Sequence, residues 1–290
     1  MGGPRTRSMT SRGKGDRPEA GYALEVSRSL FAALLKFWRG KRGLSQLELA
    51  LEAGVSARHV SFLESGRSMP SEEMALRLFE VLGVPLRAQN EALRAAGLAP
   101  RFAEGGVGEL GPEIDAALAQ MRRQHEPYPL TVLALDTTLV ATNEGARRLF
   151  AAFSAEPLPS GSLDMLSLVL DPRRMRPFLL DWEPLAASMI GRLHRLELAR
   201  GGDARIRAKL DHALAQYDVP ARLHRPDFSR SASPTLGVRL QRGERRLAFL
   251  VTATVFTAPQ AVALDELVIE SSFPVDEATR IACAELAAGS

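Results

Sequence analysis

Apolar residues in the first hundred positions recur at three- and four-residue intervals, whereas many of those after position 130 alternate one by one. The first spacing predicts helices and the second half-buried strands. Leu30, Phe31, Leu34, Leu35 and Trp38 fall on one stripe and predict a helix over 24–38, ended by Gly40 and Gly43. Ser45 with Glu48 three residues on forms a capping box that opens the next helix. Leu47, Ala50 and Leu51 are its expected apolar face, and Ala53-Gly54 closes it. Ser56 caps a third helix whose buried side is Val60 and Leu63, and Ser65-Gly66 ends it. A fourth starts at Ser71, with Glu72 and Glu73 in its first turn and Met74, Leu78 and Leu82 turned inward. The fifth runs from Pro85 to about Ala96, with Leu86, Asn90, Leu93 and Ala96 on one side.

Beyond 111 the pattern changes. A helix from Pro112 to Gln124 buries Ile114, Leu118 and Met121; Leu130 to Leu135 then reads as a strand, Asp136-Thr137 as a turn, and Leu139 to Thr142 as the returning strand. Asn143 caps a helix to Phe153, and two further helices are expected over 184–198 and 203–217. Leu236, Val238 and Leu240, and after a turn Leu247, Phe249, Val251, Ala253 and Val255, form an antiparallel hairpin with one buried face. The predicted architecture is an N-terminal all-α five-helix domain over 22–100 and an α+β domain with an antiparallel sheet over 112–282. A disordered basic tail over 1–21, a linker over 101–111 and a short C-terminal tail over 283–290 complete the division.

The second and third helices, set across the Gly54 turn, make a helix-turn-helix, and the third presents Ala57, Arg58, Ser61 and Phe62 outward near its start. Recognition helices enter the major groove with their N-terminal residues forward, so these four are the candidate base contacts. Arg58 suits the guanine O6 and N7 acceptors, and Phe62 suits a thymine methyl. The plainer alternatives are that Phe62 completes the small core and Arg58 is simply solvated. Lys41, Arg42, Arg67 and Ser68 flank this head as candidate phosphate contacts, which fix register and carry little sequence information. Such a module carries one reading helix, so operator-length specificity implies a homodimer on near-palindromic double-stranded DNA, its two helices about 34 Å apart.

Residues 24–100 resemble the Xre-type helix-turn-helix domain, of the same broad, lambda-repressor-like kind as phage repressors. SFLESGRSMPS, LRLFEVLGVPL and LRAAGLAPRF, with HEPYP at 125–129, DW at 181–182 and SSFPVDEAT at 271–279, resemble the MmyB-like regulators of actinobacteria. In the Xre pattern the position of Arg39 pairs with that of Glu64, which implies an internal salt bridge, and that of Gln46 bonds a phosphate. For the second domain the resemblance implies a PAS-like sensor fold with a cavity for a small apolar ligand, fatty-acid-like molecules being the favoured class. Leu133, Leu135, Trp182, Phe249 and Val251 are the candidate lining residues, with ordinary core packing as the alternative role of each.

Charge supports the division of labour. Residues 1–100 carry 15 Lys/Arg against 10 Asp/Glu, and the remainder 22 against 24, so the basic excess lies with the DNA-binding half. Arg5, Arg7, Arg12, Lys14 and Arg17 in the tail are either a minor-groove arm or simply solvated. A single cysteine, Cys283, excludes an intramolecular disulfide, and no CxxC or helical His pair suggests a metal site. No long apolar run is present, so neither a membrane partner nor secretion is expected and the protein reads as cytoplasmic. Gly106-x-Gly108-x-x-Gly111 matches a dinucleotide fingerprint, but no strand precedes it and no βαβ unit follows. His125, His194, His212 and His224 belong to no recognisable catalytic motif, so no enzymatic activity and no cofactor are expected beyond a bound apolar molecule. Two roles remain for the second domain: a small-molecule sensor, or a protein-interaction module acting through an exposed SSFPVDEAT segment.

Overall fold

The computed structural model describes residues 18–105, 110–159, 161, 163–224 and 236–289, with side chains from 29 onward. It divides the chain into two compact units. The expected contacts of Arg5, Arg7, Arg12, Lys14 and Arg17 lie outside the described residues, as do Gly106 and Gly108.

The first unit is built from α1 (Pro18–Lys41), α2 (Gln46–Glu52), α3 (Ala57–Glu64), α4 (Glu72–Val81) and, from Gln89 on, α5 (Leu86–Ala95). The first helix begins at Pro18, so residues 18–21 belong to it and not to the expected tail. Capping follows the sequence closely. Ser45 Oγ accepts from the Glu48 amide at 3.1 Å while Glu48 Oε2 accepts from the Ser45 amide at 2.7 Å. Ser56 and Ser71 accept from the His59 and Met74 amides at 3.2 and 3.3 Å. Gly54 takes φ 66°, the left-handed turn that sets α3 across α2.

The apolar face of α2 differs from the expected one. Leu49, Ala50 and Ala53 are buried, and Leu47 and Leu51 are 58% and 71% exposed. Leucines at every second position sit about 200° apart on a helix, so only one set can turn inward, and the set that includes Leu49 does. In α1, Phe31, Leu35 and Trp38 are likewise buried while Leu30 lies outside.

The second unit contains α6 (Pro112–Gln124), β1 (Leu130–Ala134), β2 (Leu139–Thr142), α7 (Glu144–Ala152), α8 (Met165–Leu170), α9 (Trp182–Ala199), α10 (Ala204–Gln216), β3 (Leu236–Arg242), β4 (Arg245–Thr254), α11 (Val262–Asp265), β5 (Leu267–Pro274) and α12 (Glu277–Ala288). Its five strands form one antiparallel sheet in the order β2-β1-β5-β4-β3. The strand at the centre is therefore β5, which pairs with β1 from Leu130↔Ser271 to Ala134↔Leu267 and with β4 from Phe249↔Pro274 to Thr254↔Ile269.

One face of the sheet presents Leu130, Val132, Leu267 and Ile269 to Ile114, Leu118 and Met121 of α6. The opposite face packs with α7, α8, α9 and α10 in the larger core. Neither β5 nor α8 was expected, and SSFPVDEAT is not a free segment: it is the end of the central strand and the start of α12. The expected tail from 283 is helical, with Cys283 only 3% exposed and its thiol pushed up to about 11 by burial.

Asn143 shows how local chemistry sets the start of this unit. Its Oδ1 accepts from the amides of Ala146 and Leu130 at 2.9 and 3.0 Å, and its Nδ2 donates to Tyr128 O at 2.7 Å. One buried amide thus caps α7 and fixes the entry to β1. Glu126 accepts from the next two amides of α7, Glu144 and Gly145, at 2.7 and 2.9 Å. His125 Nε2 lies 2.9 Å from Ser272 O, and its ring stands nearly perpendicular to that of Phe273, centroids 5.1 Å apart. The HEPYP segment is therefore a junction of α6, β1, β5 and α7.

Candidate functional site

The reading face begins with α3. Ala57 and Ser61 are partly exposed, and Arg58 is exposed. Phe62 is neither core nor bare: Val60 and Leu63 take the buried positions, while the Phe62 ring lies beneath two guanidinium groups. The Cζ of Arg58 is 5.1 Å and that of Arg67 is 5.7 Å from its centroid. Both cations are held over an aromatic face, and all four candidate base contacts share the outer side of one helix.

Behind this face, Glu64 gathers the helix-turn-helix into one network. It accepts from Arg39 Nε and Nη2 at 2.6 and 2.9 Å and from Gln46 Nε2 at 2.8 Å. Arg39 Nη1 donates in addition to Leu44 O at 2.7 Å. Burial works to raise the Glu64 pKa, but the Arg39 and Gln46 hydrogen bonds outweigh it and hold the carboxyl below the ordinary range. The expected Arg39 to Glu64 ion pair is present.

The flanking candidates separate. Lys41 is exposed at the end of α1, its ammonium 4.6 Å from the Trp38 ring, and Arg67 is exposed beyond α3. Gln46 stands at the first turn of α2 with its amide held by Glu64. Arg42 is not free as expected: its Nε donates to Leu82 O at 2.6 Å, so it satisfies a carbonyl at the end of α4. Gly83 makes that possible, because a Cβ there would stand 1.9 Å from Arg42 Nη2. The Ser68 hydroxyl is also misplaced for a phosphate, being buried and without a partner among the described residues.

In the second unit, the inner face of β3, β4 and β5 and the helices α7, α8 and α9 enclose a cavity of about 340 Å³. Its walls are mainly aliphatic, aromatic and thioether groups such as Phe150, Val169, Met189, Leu240, Phe249 and Val251. That volume and polarity are typical of a small-molecule site. Of the five residues expected to line it, Phe249 and Val251 do. Strand alternation explains this, since both lie on the inner face of β4.

The other three lie elsewhere. Leu133 is completely buried. Leu135 borders a different, ion-paired space of about 280 Å³ shared with Arg200, Asp203 and Arg205. Trp182 packs beneath Arg176, whose Cζ is 3.9 Å from its ring.

Three charged lining residues escaped the sequence reading: Arg192 and Arg195 on α9, and Glu270 on β5. Arg192 Nη1 donates to Glu270 Oε1 at 2.9 Å. The available signal was a pair of arginines three apart in the second half of α9, and a lone acid in the strand Leu-Val-Ile-Glu.

The histidines do not converge on one another. His125 serves the junction described above, His212 is exposed, and His224 Nε2 lies 3.0 Å from Val219 O. The fourth, His194, stands 3.9 Å from Glu197, which is itself paired with Arg207. No group of three or more His, Cys, Asp or Glu suited to a metal ion occurs among the described residues. Among these residues no helix is long and apolar enough to cross a membrane.

A helix-turn-helix module with an outward reading helix, followed by an α+β domain with a ligand-sized cavity, defines the class of DNA-binding transcription regulators. Residues 35–89 match the helix-turn-helix family model. Residues 114–286 match the model described as the MmyB-like transcription regulator ligand binding domain, and the chain belongs to that family.

A curated protein of Yarrowia lipolytica, "Putative multi-protein-binding factor 1", is 33% identical over 69 residues, 24% of this chain. The match spans 45% of that relative, less than half its length. Among solved structures, "Structure of an RNA-binding Light-Oxygen-Voltage Receptor" is 14% identical, with 93% of this chain and 66% of that one covered at a TM-score of 0.23.

Proposed function

We propose that the protein is a ligand-responsive regulator that binds near-palindromic double-stranded DNA as a homodimer and senses a small apolar, fatty-acid-like molecule in its second domain. The observation that carries this reading is the cavity of about 340 Å³ with largely apolar walls, which suits an acyl chain. Ala57, Arg58, Ser61 and Phe62 read base edges, while Lys41, Arg67 and the amide N–H of Gln46 not given to Glu64 hold phosphates. Arg42 and Ser68 are left out because one caps α4 and the other points inward. The ligand acts by binding two arrangements of the dimer with different affinity, which changes how well both reading helices reach their half-sites.

Mass spectrometry of an organic extract of the purified, denatured protein, against a mock-purified control, tests the sensor half. A stoichiometric lipid-like molecule that shifts operator affinity when added back is the expected result. An empty extract, together with no change in operator affinity across a panel of fatty acids, would sink it.

A further inference from the structure

Two arginines one turn apart on α9 line the cavity, and only one has a partner. Arg192 is matched by Glu270 at 2.9 Å. Arg195, partly buried, makes no hydrogen bond or ion pair among the described residues. Its guanidinium lies back along the helix over Gly191, where an added Cβ would be 3.5 Å from Nη1.

A cation drawn partly out of water without a counter-charge is unfavourable unless an anion comes to it. The charged lining is Arg192, Arg195 and Glu270, a balance of one positive charge, and the remaining polar lining is hydroxyl groups. The cavity is therefore apolar along its walls and short of one negative charge at a single place.

We propose that Arg195 is the head-group anchor of this site, and that its ligand is a monoanionic amphiphile whose carboxylate sits on the Arg195 fork while its tail fills the apolar space. This rests on the reading of the cavity as a ligand site. A guanidinium suits the role because its parallel N–H groups meet both oxygens of a carboxylate. Glu270 does two things: it neutralises Arg192, and it repels a second negative charge. Head groups carrying two charges, such as a phosphate monoester, are thereby disfavoured.

The test is isothermal titration of the delipidated full chain with sodium decanoate, decanol and decyl phosphate. The parent is expected to bind decanoate about tenfold to a hundredfold more tightly than decanol, the range for a charge-assisted hydrogen bond. Arg195→Met brings decanoate down to the level of decanol, and a circular dichroism melt matching the parent's separates that loss from general damage to the fold. Arg195→Lys retains part of the preference, and Glu270→Gln improves binding of decyl phosphate. Equal binding of decanoate and decanol by the parent, or an undiminished preference in Arg195→Met, overturns the anchor while the cavity reading survives. Failure of the parent to bind any of the three overturns the cavity reading and the anchor with it.

Discussion

The two units of this chain spend their buried polar groups differently. In the first, Arg39, Gln46 and Glu64 satisfy one another and lock the reading helix against its neighbours. In the second, Arg192 and Glu270 face a cavity and leave Arg195 uncompensated among the described residues. A closed network favours one geometry, whereas an open one leaves binding energy for a guest. The contrast fits the separate tasks proposed for the halves: a DNA-binding module that holds its shape, and a domain whose shape a ligand would complete.

The largest expected effect breaks the closed network. Glu64→Ala strands the Arg39 guanidinium and should cost about 3 kcal/mol, read as an earlier helix-turn-helix transition in urea followed by circular dichroism. An unchanged midpoint would mean that the ion pair contributes nothing beyond its geometry. Next comes overpacking. Ala75 is fully buried, so Ala75→Leu should destabilise by about 1–3 kcal/mol. Val251→Phe, at the cavity wall, should leave stability within about 0.5 kcal/mol and weaken decanoate binding. Equal penalties in thermal melts of the two variants would erase the contrast between a filled interior and a hollow one.

Arg58→Ala should lose about tenfold to a hundredfold in operator affinity, concentrated at one base position in a substitution scan. Lys41→Ala should weaken all sequences alike and lower the salt slope by about one. The smallest effect is with pH. The Glu64 carboxyl sits lower in the folded protein than its unfolded value of about 4.3. Its contribution is therefore complete above that pH and is lost as the pH falls through the folded value. Glu64→Gln should flatten the acid limb of the stability profile, measured as urea midpoints between about pH 5 and pH 3.

How much of this was legible depended on range in sequence. The helix-turn-helix announced itself because its caps lie three residues apart, at Ser45 with Glu48 and at Ser56 with His59. Asn143 was equally local, so the start of α7 was readable. The central strand β5 was missed because it is covered on both faces: Leu267, Val268 and Ile269 are all buried and show no alternation. α8 is only six residues long, too short for a helical period to appear. With the central strand unseen, the inner face of the sheet was incomplete, and Glu270 had no visible relation to Arg192, 78 residues away. From sequence, therefore, only the hairpin placed residues at this cavity, Phe249 and Val251, whereas Leu133, Leu135 and Trp182 stand away from its walls.

The position of β5 also sets a timetable. Leu130 pairs with Ser271, so the first strand made by the ribosome waits for about 140 further residues before its central partner arrives. At ordinary ribosomal rates that is on the order of ten seconds, long after the helices of the first unit, whose contacts are local, are able to fold. During that interval the edge of β1 that β5 will cover is open to other chains. Late in translation, then, a nascent chain carries a finished DNA-binding head on an unfinished second unit, and a slow-folding variant of that unit is expected to reveal itself first as aggregation.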